Sequence, residues 1–320
     1  MKTFRILAVS LAGLAFAGLA HGAGGAKHPH APEGGWPFEG ATGEYDKGSV
    51  QRGYQVYKQV CSSCHSMKLL SYRNLGEKGG PFYDPEFPNP NDNPFVKALA
   101  AENEIVSPVP NDAGEFDLRP ATPADRFRSP FPNDAAARAA NGGALPPDLS
   151  VITKARVGGA SYIYSLLTGY PDFEIYEDRI TEENGETVYA TVIDMAKFEK
   201  LGDYMPHHGP AYLIQPTGQY YNPYMAGDTK PNYLGDPRHA PPGGFLAMGP
   251  QLTDGRVEYT DGTQATVDQM AHDVSHFLAW AGDPKLQARK EVGLATMVYL
   301  GILTILLWFS YKRIWRKVEH

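Results

Sequence analysis

The sequence predicts a mainly α-helical protein with long irregular loops and one C-terminal transmembrane helix. Three observations lead to this fold class. Apolar residues recur at helical spacing in several segments, proline and glycine are abundant and clustered, and twenty consecutive residues near the C-terminus carry no charge. We therefore expect little sheet. A chain of 320 residues is long enough for a buried core in one large domain or two small ones.

The first 22 residues have the pattern of a secretory signal peptide. Lys2 and Arg5 form a basic start, residues 6–20 form an apolar run, and small residues follow. A retained membrane anchor is the alternative, although this run is shorter than the roughly 20 residues that a bilayer needs. The sequence thus predicts export, with residues 23–291 forming the exported domain.

Helical periodicity is clearest in three segments. Residues 49–65 begin with Ser49, a plausible N-cap. The spacing of their apolar residues places both cysteines on the apolar face of a helix. Residues 160–168 form a short apolar segment that glycine and proline stop. Residues 266–281 carry an amphipathic stripe that includes Met270, for which we predict a core position. Between these segments lie Pro/Gly-rich stretches that predict ordered loops, namely 79–94, 107–133 and 206–250.

Strand signals are weak, and the remaining histidines give no clear metal site. Residues 186–193 and 256–260 are the two candidate strands. His272 and His276 are four residues apart on the polar side of the third helical stripe, and we expect them to be surface residues; the adjacent pair at 207–208 is interpreted in the same way.

The charge-free segment, residues 292–311, predicts a single membrane-spanning helix. Four cations lie in the tail, residues 312–320, so the positive-inside rule places that tail in the cytoplasm. Without the signal and the tail, 23 basic residues face 35 acidic ones, a net charge of −12. Such a body favours a basic partner and disfavours nucleic acid.

The stretch VCSSCHSMK, residues 60–68, contains both cysteines of the chain, with His65 directly after the second. Cys-x-x-Cys-His is the spacing for covalent haem c attachment, with two thioethers to the porphyrin and an imidazole on the iron. A structural zinc site usually needs a second such pair, which this chain lacks. A dithiol redox pair needs a thioredoxin-like setting, and a plain disulfide leaves the histidine unexplained. We predict one haem c on Cys61 and Cys64, with His65 as an iron ligand.

A second axial ligand is expected if this iron carries electrons, and a methionine thioether would raise its reduction potential. Met67 is too close to His65 along the chain to reach the opposite haem face. The remaining candidates are Met195, Met205, Met225 and Met248. Met225 and Met248 lie in Pro/Gly-rich loops that could place a side chain against a flat cofactor, and the residues alone do not decide between these two.

Several longer stretches of the sequence, taken in their order along the chain, resemble those of one protein family. They are RGYQVYKQVCSSCHSMK, AARAANGGALPPDLSVITKARVGG followed by YIYSLLTGYP, YYNPYMAG, AMGPQL, DGTQATVDQMAHDVSHFLAWAGDPKLQARK, and the charge-free segment with its basic tail. In these stretches the chain resembles the cytochrome c1 family of the cytochrome bc1 complex, and especially its bacterial members, over almost its whole mature length. The resemblance implies a cytochrome c-like haem domain with one C-terminal transmembrane helix.

The resemblance also implies which residues contact the haem. The methionine of the family's matching segment is the distal ligand, which makes Met248 the choice here. Arg156 and Tyr162 match residues that reach a haem propionate, for which a guanidinium fork and a phenol hydroxyl are suitable donors. The same resemblance implies that three further residues line the haem, namely Pro146, Pro147 and Leu149.

The function implied by the resemblance is that of the c-type cytochrome subunit of ubiquinol:cytochrome c oxidoreductase, respiratory complex III. It would accept an electron from the Rieske iron–sulfur protein and pass it to a soluble or membrane-tethered cytochrome c. It would be enzymatic only as an electron-transfer subunit and would turn over no substrate by itself. Cytochrome b and membrane lipid are the other expected partners, in a dimeric complex. The haem domain would lie in the periplasm of a bacterium, held to the inner membrane by a single pass.

Three other functions stay open at this point. A free-standing membrane-anchored cytochrome c would deliver electrons to a terminal oxidase. A membrane-tethered thiol oxidoreductase would use Cys61 and Cys64 as a reversible pair, and a haem peroxidase or sensor would need an open sixth position on the iron.

Two features depart from the family pattern. Residues 172–218 form a longer segment than in mitochondrial relatives. Some bacterial relatives also brace the distal loop with a second cysteine pair, which this chain lacks, so packing and hydrogen bonds must hold Met248.

Overall fold

The computed structural model describes residues 25–183, 186–201 and 211–316. The predicted signal peptide, Met205, the 207–208 histidine pair and the last four residues lie outside this range. The chain divides into two compact units. The described residues of the large unit are 28–170 and 247–316, and those of the small unit are 25–27, 171–183, 186–201 and 211–246.

Helix α1, Lys47–Gln59, is the first helix of the large unit. Its N-cap is Asp46, whose carboxylate accepts a hydrogen bond from the Ser49 backbone N–H, so the predicted cap at Ser49 is wrong by three residues. The α-helix ends before the cysteines, and Cys61–Ser63 form one turn of 3₁₀ helix. The prediction that both cysteines lie on the apolar face of this α-helix is therefore also wrong, because the α-helix ends at Gln59 and neither cysteine is part of it.

Three further helices complete the helical core of the large unit. Helix α4 is Ile152–Ala155, α5 is Gly159–Thr168, and α6 is Val267–Gly282 with Thr266 as its N-cap. The predictions for α5 and α6 are confirmed to within one residue. Helix α1 packs on α6, and α6 packs on α5 and α4.

A glycine allows α1 and α6 to approach each other closely. A Cβ built on Gly53 would lie 1.9 Å from the backbone oxygen of Asp273, so a side chain at this position would force the two helices apart. Around this contact, Met270, Phe277 and Trp280 of α6 and Val56 of α1 are buried. The core position that we predict for Met270 is confirmed.

The other described helices are short, and the connections are mostly irregular, as the Pro/Gly clusters predict. Helix α2 is Pro94–Ala101 and α3 is Asp134–Ala140. Additional 3₁₀ turns occur at Tyr72–Gly76, Phe173–Ile175, Met195–Lys197, Glu199–Leu201, Lys230–Asn232 and Pro237–His239.

The strands are short and antiparallel. In the large unit β1, Glu104–Val106, pairs with β2, Leu118–Pro120. The small unit contains a three-stranded sheet in the order β3–β4–β5 and a separate β6–β7 pair. Their bounds are Tyr176–Glu183, Glu186–Asp194, Tyr212–Ile214, Tyr220–Asn222 and Gly244–Leu246.

One of the two predicted strands is confirmed. Strand β4 covers residues 186–193 and pairs with β3 and β5. Residues 256–260 are a turn and an irregular segment instead. Their alternating pattern arises because Val257 and Tyr259 insert side chains into the core of the large unit, a burial that needs no partner strand.

Helix α7, Leu286–Trp315, is long and apolar enough to cross a membrane, and it contains the predicted span. Its large apolar side chains, such as Leu300 and Trp308, are exposed to the surroundings. This exposure separates it from the core helices, whose apolar faces are covered by protein.

The expectation that His272 and His276 are surface residues is wrong for His276, and His272 is half-buried with its ring stacked on that of Trp36. His276 is fully buried, and its Nε2 accepts a hydrogen bond from the Asp46 backbone N–H at 3.2 Å. Asp273 is also fully buried and binds the Arg52 guanidinium at 2.8 Å. The polar side of α6 faces α1 and the segment before it, so polar residues here belong to the core.

Candidate haem attachment site

The Cys-x-x-Cys-His motif forms a compact turn directly after α1. The backbone N–H groups of Cys64 and His65 both donate to the carbonyl of Cys61, at 3.1 and 2.9 Å. The two thiols are free and are not bonded to each other. Cys61 packs against the core, and burial raises the pKa of its thiol to about 12. The Cys61 thiol is therefore held in its neutral form, which is a poor nucleophile.

The imidazole of His65 is oriented by the backbone of another segment. Its Nδ1 lies 2.8 Å from the carbonyl oxygen of Pro147. A carbonyl can only accept, so Nδ1 carries the proton and Nε2 has the free lone pair. Burial lowers the pKa of His65, against the opposing effects of the Pro147 hydrogen bond and the Asp148 charge. The neutral ring is therefore the favoured form, as a metal ligand requires.

The segment 146–150 is fastened to the motif along its length. The Asp148 carboxylate accepts from the Ser66 hydroxyl and from the Lys68 N–H, both at 2.8 Å, and the Leu149 N–H donates to the Ser66 carbonyl. Burial alone would raise the pKa of Asp148, but the hydrogen bonds from Ser150, Lys68 and Ser66 outweigh it and lower the pKa. Of the predicted lining residues, Leu149 is buried, Pro146 is half-buried and Pro147 is exposed.

Met248 lies in the large unit, which also contains the motif, and it is half-buried. Its backbone carbonyl accepts a hydrogen bond from the Tyr170 hydroxyl at 2.7 Å. Met195 and Met225 belong to the small unit, where Met195 is part of the hydrophobic core. Met67 is fully buried in the core of the large unit.

Arg156 and Tyr162 occupy neighbouring positions around the start of α5. Arg156 follows α4, is exposed, and donates from Nη1 to the Ala155 carbonyl at 3.2 Å. Tyr162 is half-buried in the first turn of α5.

The residues present fit a covalently attached haem better than the other groups considered. Two free thiols and an imidazole with an available Nε2 form the donor set that haem c needs. Apolar side chains beside the motif and beside segment 146–150, namely Leu69, Leu145 and Val151, are exposed to solvent. Among the described residues, no group of three His, Cys, Asp or Glu side chains could hold a metal ion.

Comparison with known proteins identifies the family. Residues 36–318 match the Cytochrome C1 family. Cytochrome c1 of Rhodospirillum rubrum is 39% identical over 287 residues, which cover 89% of this chain and 87% of that protein. The chain belongs to the cytochrome c1 family. Haem c is the cofactor of this family, and Cys61 and Cys64 are positioned as its attachment motif.

Two further relatives show how widely the family extends. The heme protein cytochrome c1-1 of Solanum tuberosum mitochondria is 39% identical, covering 98% of this chain and 79% of the relative. The protein named cytochrome b/c1 in Bradyrhizobium diazoefficiens is 39% identical over 88% of this chain. The chain spans 35% of that relative's length.

Sequence reasoning missed the residues that hold this cytochrome c1 motif in place. Asp148 joins the motif to segment 146–150, and its other oxygen accepts from the Ser150 N–H at 2.9 Å in a tight turn. The Asp-x-Ser pattern after two prolines was a usable signal for such a turn. Tyr57, whose hydroxyl donates to the His65 carbonyl at 3.3 Å, gave no signal beyond apolar periodicity.

Proposed function

We propose that this protein is the electron-transfer subunit of a ubiquinol:cytochrome c oxidoreductase. The observation that carries the proposal is the Cys61–His65 turn, whose imidazole Nδ1 is held by the Pro147 carbonyl, in a chain of the cytochrome c1 family. The two cysteines would attach haem c, and His65 through Nε2 and Met248 through its thioether would hold the iron. Pro146, Pro147 and Leu149 would line the haem, and Arg156 and Tyr162 would donate to a propionate.

Haem c supplies one-electron redox chemistry when bound. The chain's own residues control how that chemistry is used. The Pro147 carbonyl fixes the His65 tautomer and ring orientation, and Asp148 keeps segment 146–150 against the motif. Leu149 is buried in the apolar core of the large unit, and apolar surroundings favour the less charged state of a redox centre. No bond to a substrate is made or broken on this chain.

The partners follow from the family and from charge. One relative carries cytochrome b and c1 in a single name, and another in Candida albicans is named as a subunit of the cytochrome b-c1 complex. These names support a complex with cytochrome b. We propose in addition that this complex is dimeric and that a Rieske iron–sulfur protein is its electron donor. The predicted exported body has a net charge of −12 and would dock a basic soluble or tethered cytochrome c as the acceptor.

The proposed location is the bacterial inner membrane. Helix α7 crosses the bilayer once and contacts membrane lipid, residues 23–291 form the periplasmic domain, and the basic tail 312–320 remains in the cytoplasm. In this proposal residues 1–22 act as the signal peptide that directs export of the domain.

The proposed ligation is tested by comparing two methionine variants of the full-length haem-loaded protein. Met248→Leu is expected to abolish the long-wavelength sulfur-to-iron absorption band of the ferric protein. It should also lower the reduction potential by on the order of 0.2 V, within the roughly 0.8 V span that axial ligands control. The matched control, Met225→Leu, should change neither quantity. An unchanged spectrum in Met248→Leu would instead support a haem with an open sixth position.

The proposed assembly is tested by purifying the native membrane complex with an affinity tag on this chain. Cytochrome b and an iron–sulfur subunit should copurify, with one covalent haem per tagged chain. A terminal oxidase in place of these subunits would contradict the assignment and favour a free-standing electron carrier. A tagged chain without added haem mass, whose two thiols alkylate after reduction, would contradict the haem itself.

A further inference from the structure

We infer that Tyr170 is a positioning residue for the distal iron ligand. Its hydroxyl holds the backbone carbonyl of Met248 at 2.7 Å, and thereby keeps the thioether available to the iron. The inference rests on the proposed function, in which Met248 is that ligand. It assigns to Tyr170 the task that some relatives give to an extra cysteine pair, which this chain lacks because both its cysteines lie in the attachment motif.

The hydrogen bond has the geometry of a strong and well-shielded one. Its length of 2.7 Å is the usual optimum for a hydroxyl donor and an oxygen acceptor. Tyr170 is 4% exposed, so water cannot readily replace the phenol as the donor to this carbonyl. A carbonyl that loses its donor in such surroundings is left without compensation for its desolvation.

Tyr170 is itself fixed by the elements around it. It follows Gly169, the C-cap of α5, and precedes Pro171, which restricts the backbone of the preceding residue to extended conformations. Helix α5 is fastened to α6 by the hydrogen bond from the Tyr164 hydroxyl to Asp268. The phenol therefore projects from a part of the core that has little freedom to move.

The loop that carries Met248 has few constraints of its own. Residues 247–253 form neither helix nor strand. Leu252 anchors the far end of the loop in the core, with 6% exposure, and the Gln251 side chain donates to the Gly249 carbonyl within the loop. The Tyr170 contact thus ties down the end of the loop that bears the ligand, while Leu252 ties down the other end.

Removing the hydroxyl should loosen the ligand without changing the fold. In Tyr170→Phe the ring still fills its buried space, but the Met248 backbone loses its tether. The thioether would then leave the iron more often, and external ligands would compete better for the vacated position. One neutral hydrogen bond corresponds to a change of about fivefold in such an equilibrium.

The experiment is a titration of the ferric, haem-loaded, full-length protein with imidazole, followed by the sulfur-to-iron band. Tyr170→Phe should bind imidazole about fivefold more tightly than the wild type and show a lowered reduction potential. The matched control is Tyr45→Phe, which removes another phenol donor to a backbone carbonyl, that of Ala279 at 3.0 Å, in the α1–α6 region. The control should bind imidazole as the wild type does.

Three outcomes would overturn the inference. Equal imidazole affinity in Tyr170→Phe and wild type would show that the hydroxyl does not position the ligand. Equal shifts in Tyr170→Phe and Tyr45→Phe would show general loosening of the fold instead. A wild type without the sulfur-to-iron band would refute Met248 ligation itself, and this result alone would count against the proposed function as well.

Discussion

At the scale of single residues, the most informative side chain outside the haem site is His276. Its imidazole ring lies edge-on to the rings of Trp36 and Phe38 and is tilted relative to that of Tyr45. Its Nε2 accepts a hydrogen bond from the Asp46 backbone N–H. Its Nδ1 is buried without a hydrogen-bond partner in the described structure. The imidazole is therefore held in its neutral form in a site that gives a charged ring little solvation.

Protonation of His276 should destabilise the fold under mildly acidic conditions. Burial lowers the pKa of His276 from 6.5 to about 4, and the charges of His272 and Arg52 lower it as well. The Asp46 and Asp273 carboxylates have the opposite, weaker effect and raise this pKa. Because the folded pKa lies below the unfolded one, this stabilisation is complete above pH 6.5 and is lost as the pH falls toward 4. The shift corresponds to roughly 3 kcal/mol.

The test substitutes His276→Gln, which does not titrate but can still accept from the Asp46 N–H. Urea unfolding at pH 7.5 and pH 4.5 should show a smaller loss of free energy of unfolding for the variant than for the wild type. His239→Gln is a suitable control because this exposed residue lies in the small unit. An equal pH dependence in His276→Gln and wild type would contradict the assignment.

At the scale of elements, the close approach of α1 and α6 determines where the haem motif lies, since α1 leads directly into it. Gly53→Ala would place a methyl group against the Asp273 carbonyl of α6. We expect a loss of about 3 kcal/mol in the free energy of unfolding, at the upper end of typical overpacking costs, and reduced haem incorporation. Thermal unfolding and the haem-to-protein ratio measure the two effects.

Gly48→Ala is the matched control in the same helix. Its added Cβ would meet the Asp46 carboxylate at 3.4 Å, an ordinary contact. Alanine also has the higher helix propensity, so stability should stay the same or rise by up to about 1 kcal/mol. If Gly53→Ala and Gly48→Ala changed the free energy of unfolding equally, the change in helix propensity that they share would explain the result. The argument from the close approach of the two helices would then be lost.

The elements also show what the sequence could predict. Apolar periodicity was sufficient for α5 and α6, because each buries one continuous stripe. It failed at the end of α1, where the haem motif itself imposes a 3₁₀ turn that no hydrophobic pattern encodes. Apolar periodicity also failed for His276. A polar residue that is buried against a backbone donor, here the Asp46 N–H, cannot be distinguished in the sequence from one that faces water. The cysteines and His65 were predictable as a motif, whereas Asp148 and Tyr170 act through contacts 80 or so residues away along the chain.

At the scale of the whole molecule, the acidic balance predicts how the protein meets its electron acceptor. A body with 35 acidic and 23 basic residues attracts a basic cytochrome c over distances comparable to the Debye length. The second-order rate of cytochrome c reduction should fall steeply as ionic strength rises, which stopped-flow absorbance can measure. A neutral electron acceptor of similar potential is the control and should show little salt dependence. A rate with basic cytochrome c that did not change with salt would exclude electrostatic docking.

The junction between the haem domain and the anchor has a further charge pattern. Lys285, Arg289 and Lys290 flank the span on the proposed periplasmic side, where the positive-inside rule disfavours cations. Each is bound by the large unit. Lys285 pairs with Glu77, Arg289 pairs with Asp283, and Lys290 donates to the carbonyls of Phe38 and Gly43 at 2.7 and 2.9 Å. These bonds fasten α7 to the haem domain instead of leaving the cations to lipid headgroups.

The Lys290 contact should therefore fix the tilt of the haem relative to the membrane. Lys290 reaches two part-buried backbone carbonyls, whereas the Lys285–Glu77 pair is largely exposed and contributes little rigidity. In Lys290→Met the angular spread of the haem plane should widen, as measured by electron paramagnetic resonance of oriented membranes, while Lys285→Met should leave it unchanged. An unaltered spread in Lys290→Met would mean that other contacts, such as the Tyr45 hydroxyl on the Ala279 carbonyl, hold the junction. A widened spread without loss of haem would show that this lysine couples the anchor to the haem domain.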